Sequence, residues 1–404
     1  MSKFNLSKYQ FFIISIGATA TLFTAVGYWL GQHSLEVSWE GVIPSVMVSD
    51  RRPQRYASLD MSEFWQVMDI VTTQYLEREK IVPQKLIQGA TAGLVEALDD
   101  PYSMYLNQEQ NKDSKASLNG TFEGVGMELG YNSEKQLVVI APLKDSPAKK
   151  AGVIAGDKIW QINDEPSISL STQEAVSKIR GPKGTKVKLL LQQGTAEPRE
   201  VEIVRETIKI NSVEIAYFEN DTIAHLQLNR FGDDTESEWD KAVQEITQKN
   251  VRKIVLDVRN NPGGYFSTAV HIASDFMNGP VVSQQYYTGE VRTEYAKRSQ
   301  RLQNAEVAVL INKGSASASE IVTGALNERT EAVVLGETSF GKGTVQDVKD
   351  FQNGAGVHIT IAKWLTPNNT WVHKEGIKPD IEVIDSNNSD DIDEVLNRAI
   401  DELK

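Results

Sequence analysis

The sequence predicts an α/β protein of several domains, with helices near its start and a β-rich module inserted before the α/β part. Two short apolar runs, Lys253–Asp257 and residues 307–311, are each followed by a helical pattern, which is typical of strands buried on both faces of a layered sheet. Residues 120–206 instead contain runs that alternate apolar and polar side chains, as half-buried strands do. A chain of 404 residues suits two or three domains rather than one small core.

The composition excludes several classes of function. A net charge of −13 argues against a nucleic-acid partner, because binding to phosphates requires clustered lysine and arginine. The chain has no cysteine, which rules out disulfides, a thiolate nucleophile and a cysteine-ligated metal. Its five histidines form no H-E-x-x-H or H-x-x-E-H metal motif.

Residues 11–30 form an uncharged, apolar run near the N-terminus. A helix of 20 residues spans about 30 Å, the thickness of the hydrocarbon layer of a membrane. Lys3 and Lys8 precede the run, so we expect a single-pass anchor with the rest of the chain outside the cytoplasm. A cleaved signal peptide is the alternative, since Ala18-Thr19-Ala20 fits an A-x-A cleavage site. That pattern lies in the middle of the run, which favours an uncleaved anchor.

Two amphipathic helices are predicted after a polar tether at residues 32–58. Their apolar residues recur every three or four positions. These are Phe64, Trp65, Met68, Val71 and Tyr75 in the first helix and Ile87, Ala90, Leu94 and Leu98 in the second. Pro83 suits the first turn of the second helix. The polar residues 107–119 show no period and are expected to be mobile, and an amphipathic helix is predicted at 391–403.

A glycine-rich turn begins the β-rich module. Gly124, Val125 and Gly126 precede a predicted strand, and glycines at such a position let backbone N–H groups converge on an anion. A turn, a short helix and a strand follow at residues 145–159. On their own, the two glycines would equally suit a plain tight turn.

Ser317 is the first candidate catalytic residue. It follows the apolar run 307–311 and opens a helical stretch, so its hydroxyl lies at the positive end of a helix dipole beside free N–H groups. Such groups can hold the oxyanion that forms when a carbonyl is attacked. Ser317 and Glu320 also fit an ordinary capping box worth about 1 kcal/mol of stability. This segment alone leaves both interpretations open.

Lys342 favours the catalytic interpretation. It lies between two glycines, and the alternation that follows it places Lys342 and Gln346 on one face of a strand, where they can hydrogen-bond each other or a third group. An apolar setting, to which Phe340 could contribute, lowers the pKa of a lysine toward the range of a general base.

Three other kinds of site fit the sequence less well. Residues 336–342 match a P-loop, but Gly343 stands where a serine or threonine must hold Mg²⁺, and a strand follows where a helix is needed. Ser146 and Lys149 fit the S-x-x-K motif of penicillin-binding enzymes, but no S-D-N motif accompanies them and Pro147 suits a turn. A histidine-based triad stays conceivable, although no histidine lies in a glycine-rich or strand-end context.

Three motifs, in this order, resemble those of the carboxy-terminal processing proteases, the tail-specific serine proteases. They are Asp257-Val-Arg259-Asn-Asn-Pro-Gly-Gly264, Gly314-Ser-Ala-Ser317-Ala-Ser-Glu320 and Ser339-Phe-Gly-Lys342-Gly-Thr-Val-Gln346. The resemblance extends from about residue 62 to 404 and includes Leu98-Asp-Asp-Pro-Tyr-Ser103 and Gly376-Ile-Lys-Pro-Asp380. The β-rich module resembles a PDZ domain of the bacterial protease type at Ser146-Pro147-Ala148, Ala151-Gly152 and Gly156-Asp157.

The resemblance implies a serine–lysine dyad. Ser317 is then the nucleophile, Lys342 its base and Gln346 the residue that orients the lysine. The family pattern also implies backbone oxyanion donors, which are Gly264 or Gly263 together with Ala318. Glu320 lies where some members place a supporting acid. No metal or organic cofactor is implied.

The resemblance also implies that the PDZ-like module binds the C-terminus of a protein or peptide substrate. The peptide would add as a strand, with its carboxylate at the turn of Gly124, Val125 and Gly126, and Arg180 is a further candidate contact. The expected activity is that of a serine endopeptidase that acts on extracytoplasmic proteins from their C-terminal tails. The alternative is a PDZ-type peptide-binding adaptor on an inactive protease core.

The expected organisation is a mixed α/β serine protease core with an inserted PDZ-like domain, an N-terminal helical segment and one transmembrane helix. Apolar helices at both ends of the soluble part also suggest a homo-oligomer. The expected boundaries are 1–10 for a cytoplasmic N-terminus, 11–31 for the anchor, 32–58 for the tether, 59–117 for the helical segment, 118–206 for the PDZ-like domain, 207–383 for the core and 384–404 for a C-terminal helix.

Overall fold

The structure is a computed structural model of the chain. It describes residues 35–40, 43–48, 56, 58–132, 134–143, 145–297, 300–384 and 393–404. The predicted anchor at 11–31 lies outside these residues, as does part of the tether. None of the helices in the described ranges has the length and apolar character needed to span a membrane. The chain divides into two compact units, Met1–Lys85 and Leu86–Lys404.

The first unit contains two paired strands where the sequence predicted an irregular tether. Strands β1 (Leu35–Glu40) and β2 (Ile43–Val48) pair in antiparallel fashion. The missed signal is the alternation of apolar and polar residues in Leu35-Glu-Val-Ser-Trp-Glu40, which has the period of a strand. Helix α1 (Ser62–Gln74) and a 3₁₀ turn at Arg78–Lys80 follow. Helix α2 (Pro83–Glu96) begins at Pro83, as predicted.

Residues 107–119, expected to be mobile, form helix α3 (Gln108–Leu118) instead. The side chains of Asn107 and Gln110 exchange hydrogen bonds with each other's backbone N–H groups and cap its first turn. Asn111 donates to Asp350 Oδ1 at 2.8 Å and to the carbonyl oxygen of Gly354 at 3.0 Å. Capping and long-range hydrogen bonds therefore hold this helix, which has no apolar stripe for a periodicity analysis to find.

The PDZ-like module has a sheet and a core of its own. Its strands run in the spatial order β10-β9-β7-β6-β5, with β8 paired to β7. The elements are β5 (Met127–Tyr131), β6 (Leu137–Pro142), α4 (Pro147–Lys150), β7 (Asp157–Ile162), β8 (Glu165–Pro166), α5 (Thr172–Ile179), β9 (Lys186–Gln193) and β10 (Arg199–Val204). The module joins the rest of the unit through β4 (Thr121–Gly124) and β11 (Glu206–Lys209), which pair antiparallel.

The α/β core is built on a six-stranded sheet in the order β12-β13-β14-β17-β18-β21. Its strands are β12 (Val213–Phe218), β13 (Ile223–Leu228), β14 (Lys253–Asp257), β17 (Glu306–Ile311), β18 (Val333–Gly336) and β21 (Ile381–Glu382). From β13 to β21 the strands are parallel. Helices α6 (Thr235–Lys249), α7 (Phe266–Ala273) and α8 (Ala318–Arg329) pack on one face, and α9 (Glu394–Leu403) packs on the other.

A second sheet in the order β16-β15-β20-β19 completes the unit. It consists of β15 (Pro280–Tyr286), β16 (Val291–Tyr295), β19 (Thr344–Asp350) and β20 (Gly356–Leu365), and β3 (Met104–Leu106) pairs with β20. Neighbouring parallel strands β14 and β17 end in the segments that carry the 257–264 and 314–320 motifs. The carboxyl ends of such strands are the usual place for an active site.

Candidate active site

Ser317 lies at the N-terminus of α8, directly after the turn that follows β17. Its backbone has φ 55° and ψ −112°, a conformation that residues other than glycine rarely adopt. Such strain costs about 1–3 kcal/mol and persists only where surrounding contacts enforce it. Here the backbone N–H of Ser317 donates to Glu320 Oε2 at 2.7 Å. The serine is therefore held on a sharp turn at the positive end of the helix.

The carboxylate of Glu320 joins the two loops that carry the predicted dyad. Glu320 is fully buried and also accepts from Ser339 Oγ at 2.7 Å, from Gly341 N–H at 2.6 Å and from Lys342 N–H at 2.9 Å. Ser339 Oγ in turn accepts the N–H of Ile377 at 2.7 Å. Glu320 thus fixes the backbone of Ser317 relative to that of Lys342, instead of acting only as a helix cap.

Lys342 is largely buried, and its backbone is fixed independently of its side chain. Its carbonyl oxygen accepts from Trp364 Nε1 at 2.8 Å. Among the described residues, its Nζ atom has no hydrogen-bond or ion-pair partner, and it lies 5.2 Å from the ring centroid of Tyr102. Burial lowers the pKa of Lys342, although the charges of Asp100 and Glu320 act in the opposite direction. A buried lysine without an ionic partner is suited to accept a proton.

Gln346 lies on β19, beside a register irregularity between β19 and β20. Its Nε2 donates to Thr344 Oγ1 at 3.0 Å and to Thr360 Oγ1 at 3.2 Å. The amide is thereby oriented, but no hydrogen bond joins it to Lys342 within the described part of the chain. The role of Gln346 in orienting the lysine stays a prediction.

The two candidate oxyanion glycines differ in what their N–H groups do. A Cβ on Gly263 would lie 2.9 Å from Ser317 Cβ, so this segment runs directly against the serine. The Gly263 N–H donates to Asn261 Oδ1 at 2.9 Å and is thus engaged. By contrast, the N–H groups of Gly264 and Ala318 have no acceptor among the described residues. Of the predicted oxyanion donors, Gly264 and Ala318 are therefore the two whose N–H groups are free to take an acceptor.

The glycine turn of the PDZ-like module leaves two backbone donors unused. Within the described residues, the N–H groups of Val125 and Gly126 have no acceptor, while their carbonyl oxygens accept from Ala148 and Leu143. Gly126 has φ +72°, and a Cβ there would lie 2.6 Å from Ser146 Cβ, so only glycine fits. The turn precedes β5, which forms one edge of its sheet.

Gly124 and the predicted contact Arg180 lie beside the same turn. The Arg180 guanidinium stacks 4.6 Å from the ring centroid of Phe122, and its Cγ is 3.7 Å from a Cβ placed on Gly124. These positions give the turn two free N–H groups with an arginine next to them. Such a combination suits a carboxylate.

The described residues contain one cluster with the geometry of a metal site, formed by Asp240, His271 and Asp275. Arg301 Nη2 lies 2.6 Å from both Asp240 and Asp275, and His271 Nε2 is 3.1 Å from Asp240. The carboxylates therefore have a permanent cation between them, and the cluster is an ion-pair network rather than a vacant metal centre.

Sequence reasoning missed the turn of residues 100–103, which brings Tyr102 over Lys342. The resemblance included Leu98-Asp-Asp-Pro-Tyr-Ser103 but assigned no role to it. A turn signal was available in Asp99-Asp100-Pro101, but nothing local indicates that the turn reaches Lys342.

Three parts of the chain match known families. Residues 222–383 match Peptidase family S41, residues 138–193 match the PDZ domain, and residues 20–110 match the N-terminal domain of the activating protease CtpB. These matches cover the α/β core, most of the PDZ-like module and the N-terminal segment.

Similar proteins include two carboxy-terminal processing proteases of Bacillus subtilis. The chain is 34% identical to CtpB over 375 residues, which are 91% of this chain and 76% of CtpB. It is 36% identical to CtpA over 305 residues, which are 75% of this chain, and it spans 65% of the length of CtpA.

Among solved structures, the photosystem II D1 C-terminal processing protease is 26% identical with a TM-score of 0.50, covering 80% of this chain and 92% of that one. An S41 protease structure from Bacteroides fragilis, 16% identical, covers 79% of this chain and 90% of that one with a TM-score of 0.54, which supports the fold alone.

Proposed function

The chain belongs to peptidase family S41, the carboxy-terminal processing serine peptidases with a PDZ domain, and we propose that it cleaves proteins from their C-terminal tails with a Ser317–Lys342 dyad. The observation that carries this proposal is the shared carboxylate of Glu320. It accepts the backbone N–H of Ser317 at 2.7 Å and that of Lys342 at 2.9 Å. Glu320 therefore fixes the position of the Ser317 loop relative to the Lys342 loop.

In the proposed mechanism, the neutral amine of Lys342 takes the proton from Ser317 Oγ as this oxygen attacks the scissile carbonyl. The N–H groups of Gly264 and Ala318 donate to the resulting oxyanion. The Lys342 ammonium then gives its proton to the leaving amine, and the C–N bond breaks. A water molecule deprotonated by Lys342 hydrolyses the acyl-enzyme and releases the second product. Gln346 helps to orient the lysine and, being neutral, does not stabilise its ammonium form as a carboxylate would.

The PDZ-like module supports the choice of substrate. An extended peptide can add as a strand at the edge formed by β5, with its free carboxylate accepting from Val125 and Gly126 N–H and with Arg180 nearby. Gly124 lets the backbone pass close to Phe122 and Arg180. The proposed partners are therefore proteins or peptides with free C-termini.

Location and assembly form a second part of the proposal. The uncharged run at 11–30, with Lys3 and Lys8 before it, supports a single-pass anchor and extracytoplasmic substrates. Exposed apolar residues on the N-terminal helices support a homo-oligomer, since Trp65 is 59% exposed and Leu94 is 73% exposed. Light scattering of the soluble part would measure its mass, and a monomer at all concentrations would count against assembly.

Turnover of a peptide with a free C-terminus tests the dyad. We expect Ser317→Ala and Lys342→Ala to abolish cleavage while binding of the peptide to the PDZ-like module persists. Lys342→Arg should be equally inactive, because a guanidinium cannot act as a base near neutral pH. The exposed Lys349→Ala is the matched control and should keep full activity.

Two outcomes would contradict the dyad. Substantial activity in Lys342→Arg would assign the base to another group. A wild-type protein that binds such peptides but cleaves none of them would favour the adaptor function.

A further inference from the structure

The turn of residues 100–103, between α2 and β3, lies against the catalytic lysine although it belongs to the N-terminal segment. The ring centroid of Tyr102 is 5.2 Å from Lys342 Nζ, within the distance at which an aromatic face attracts an ammonium group. Within the described ranges, Nζ has no hydrogen-bond or ion-pair partner, so the Tyr102 ring is its one cation–π neighbour. The position of the amine therefore depends on the position of Tyr102.

Hydrogen bonds from two directions fix the turn. Asp100 Oδ1 accepts the N–H of Tyr102 at 3.2 Å, and Asp100 Oδ2 accepts from Ser103 Oγ at 2.6 Å. Ser103 Oγ also accepts the N–H of Thr360 at 3.0 Å, which attaches the turn to β20. Strand β3, directly after the turn, pairs with the same strand. The turn is thus part of the second sheet, next to the strand that follows Lys342.

The Tyr102 ring also contacts the loop before residue 376. His373 meets Tyr102 edge-on with centroids 6.1 Å apart, and Trp371 stacks on His373 at 4.9 Å. Trp371 Nε1 donates to the carbonyl oxygen of Gly343 at 2.8 Å, so the same loop also contacts the residue that follows Lys342. The Tyr102 ring is therefore held by its own turn and by this loop at the place where it contacts Lys342.

The turn and the proposed orienting residue both hydrogen-bond to Thr360. Its Oγ1 accepts from Gln346 Nε2 at 3.2 Å, and its N–H donates to Ser103 Oγ at 3.0 Å. Ser103, Thr360 and Gln346 thus form a continuous polar connection alongside Lys342. A displacement of the turn would be transmitted to Gln346.

We propose that this turn is part of the catalytic site, with Tyr102 and Asp100 as positioning residues that fix the location of the Lys342 amine. The proposal rests on the proposed function of Lys342. The charged and titratable groups around this lysine are Asp100, Tyr102, Glu320, His358 and, beyond Tyr102, His373. Asp100 raises the pKa of Lys342 against the larger effect of burial. Thus the turn confines the amine with a ring and moderates its basicity with a charge.

Three variants and a matched control separate positioning from plain structural support. We expect Tyr102→Leu to lower kcat on the order of 10²-fold with KM almost unchanged, because a displaced base is costly even when substrate binding persists. Tyr102→Phe keeps the ring and should stay within about threefold of wild type. Asp100→Asn should shift the rising limb of the pH profile of kcat/KM to lower pH, because the ammonium loses a nearby negative charge. The exposed neighbour Asp99→Asn should leave the profile unchanged.

A second measurement determines the pKa of the Lys342 amine without requiring turnover. Competitive acetylation with acetic anhydride across pH, followed by mass spectrometry of the peptide that contains Lys342, gives the titration of this amine. Asp100→Asn should lower the pKa of Lys342, and Asp99→Asn should not. If this holds while the wild-type protein cleaves no peptide, the proposed peptidase function fails and the positioning role stands.

Unchanged kcat in Tyr102→Leu together with an unchanged Lys342 titration in Asp100→Asn would overturn the inference. It would also be overturned if Tyr102→Leu and Tyr102→Phe lost activity and thermal stability to the same degree, since that result would assign the turn a purely structural role.

Discussion

Glu320 Oε2 accepts the backbone N–H of Lys342 at 2.9 Å, although the two residues are 22 positions apart in the chain. The same carboxylate also binds the strained backbone of Ser317, so its hydrogen bonds define the geometry of the site before any substrate arrives. Preorganisation of this kind is what a nucleophile and its base require, because no reorganisation is then needed during the reaction.

Replacing Glu320 tests this relationship. We expect Glu320→Gln to reduce stability by about 2–4 kcal/mol, since one side of the amide would present N–H groups to buried N–H and O–H donors. Turnover should fall with it, because the backbones of Ser317 and Lys342 lose their common acceptor. Urea denaturation and peptide cleavage measure the two effects. The exposed Glu331→Gln is the control and should be neutral; equal stability of both variants would contradict the role of Glu320.

Lys342 should be a destabilising residue for the fold. Its pKa in the folded protein is lowered by burial, so the folded state disfavours the ammonium form relative to the unfolded chain. The cost is fully present below the folded pKa and is relieved as pH rises from that pKa to the unfolded one. Lys342→Met should therefore stabilise the protein most at acidic and neutral pH, and progressively less toward pH of about 10.4. Thermal denaturation at several pH values measures this; a gain independent of pH, or one shared by the exposed Lys349→Met, would contradict it.

Gln346→Glu places a negative charge close to the lysine. A carboxylate stabilises the ammonium, so the pKa of Lys342 should rise and the rising limb of the pH–rate profile should move to higher pH. Activity near neutral pH should fall while activity at alkaline pH recovers. The profile of kcat/KM between pH 6 and 10 is the measurement. A rising limb that stays at the same pH would show that the side chain at position 346 does not influence the pKa of Lys342.

The proposed carboxylate site of the PDZ-like module is tested by Gly126→Asp. The new side chain brings a negative charge to the turn and meets Ser146 at close range, so binding of peptides with free C-termini should weaken by about tenfold or more. Binding of the amidated peptides should change less. Gly184→Asp is the matched control, because Gly184 also has a positive φ but has open space around its Cβ position. Equal binding of free and amidated peptides by the wild-type protein would refute the carboxylate role.

The anchor is tested by fractionation. If residues 11–30 span a membrane, the full-length protein should remain in the membrane fraction through high-salt and alkaline washes. Protease added from outside should digest the soluble part. A mature N-terminus near Thr21 would replace the anchor with a cleaved signal.

Local motifs made part of the site predictable. Ser317 follows a buried strand and opens a helix, and Lys342 lies between glycines before a strand, so both are visible in short windows of sequence. The apolar setting of Lys342 was attributed to Phe340, yet Phe340 is 54% exposed and Tyr102 lies over the amine instead. Ser103 and Thr360, which hold that turn, are 257 positions apart. Contacts at such separation leave no periodic signal in a single sequence.

Helices that are capped by adjacent residues could likewise be predicted from the sequence, whereas a helix held by distant contacts could not. The capping box of Ser171 and Glu174 at the start of α5 is recognisable in the sequence, because its pattern is contained within four residues. Helix α3 was missed, since its capping residues are Asn107 and Gln110 and its anchor is the distant Asp350. A polar helix held by tertiary hydrogen bonds has no apolar face from which to infer it.

The pairing of β4 with β11 has a consequence for how the chain is assembled. Partners in an antiparallel pair lie about 5 Å apart, so the two points at which the chain leaves and re-enters the core are neighbours. To the rest of the fold, the whole PDZ-like module is equivalent to the loop of a hairpin. A tight turn that joins Gly124 to Glu206 would close the same gap. We therefore expect the remaining chain to keep its path when the module is replaced by such a turn.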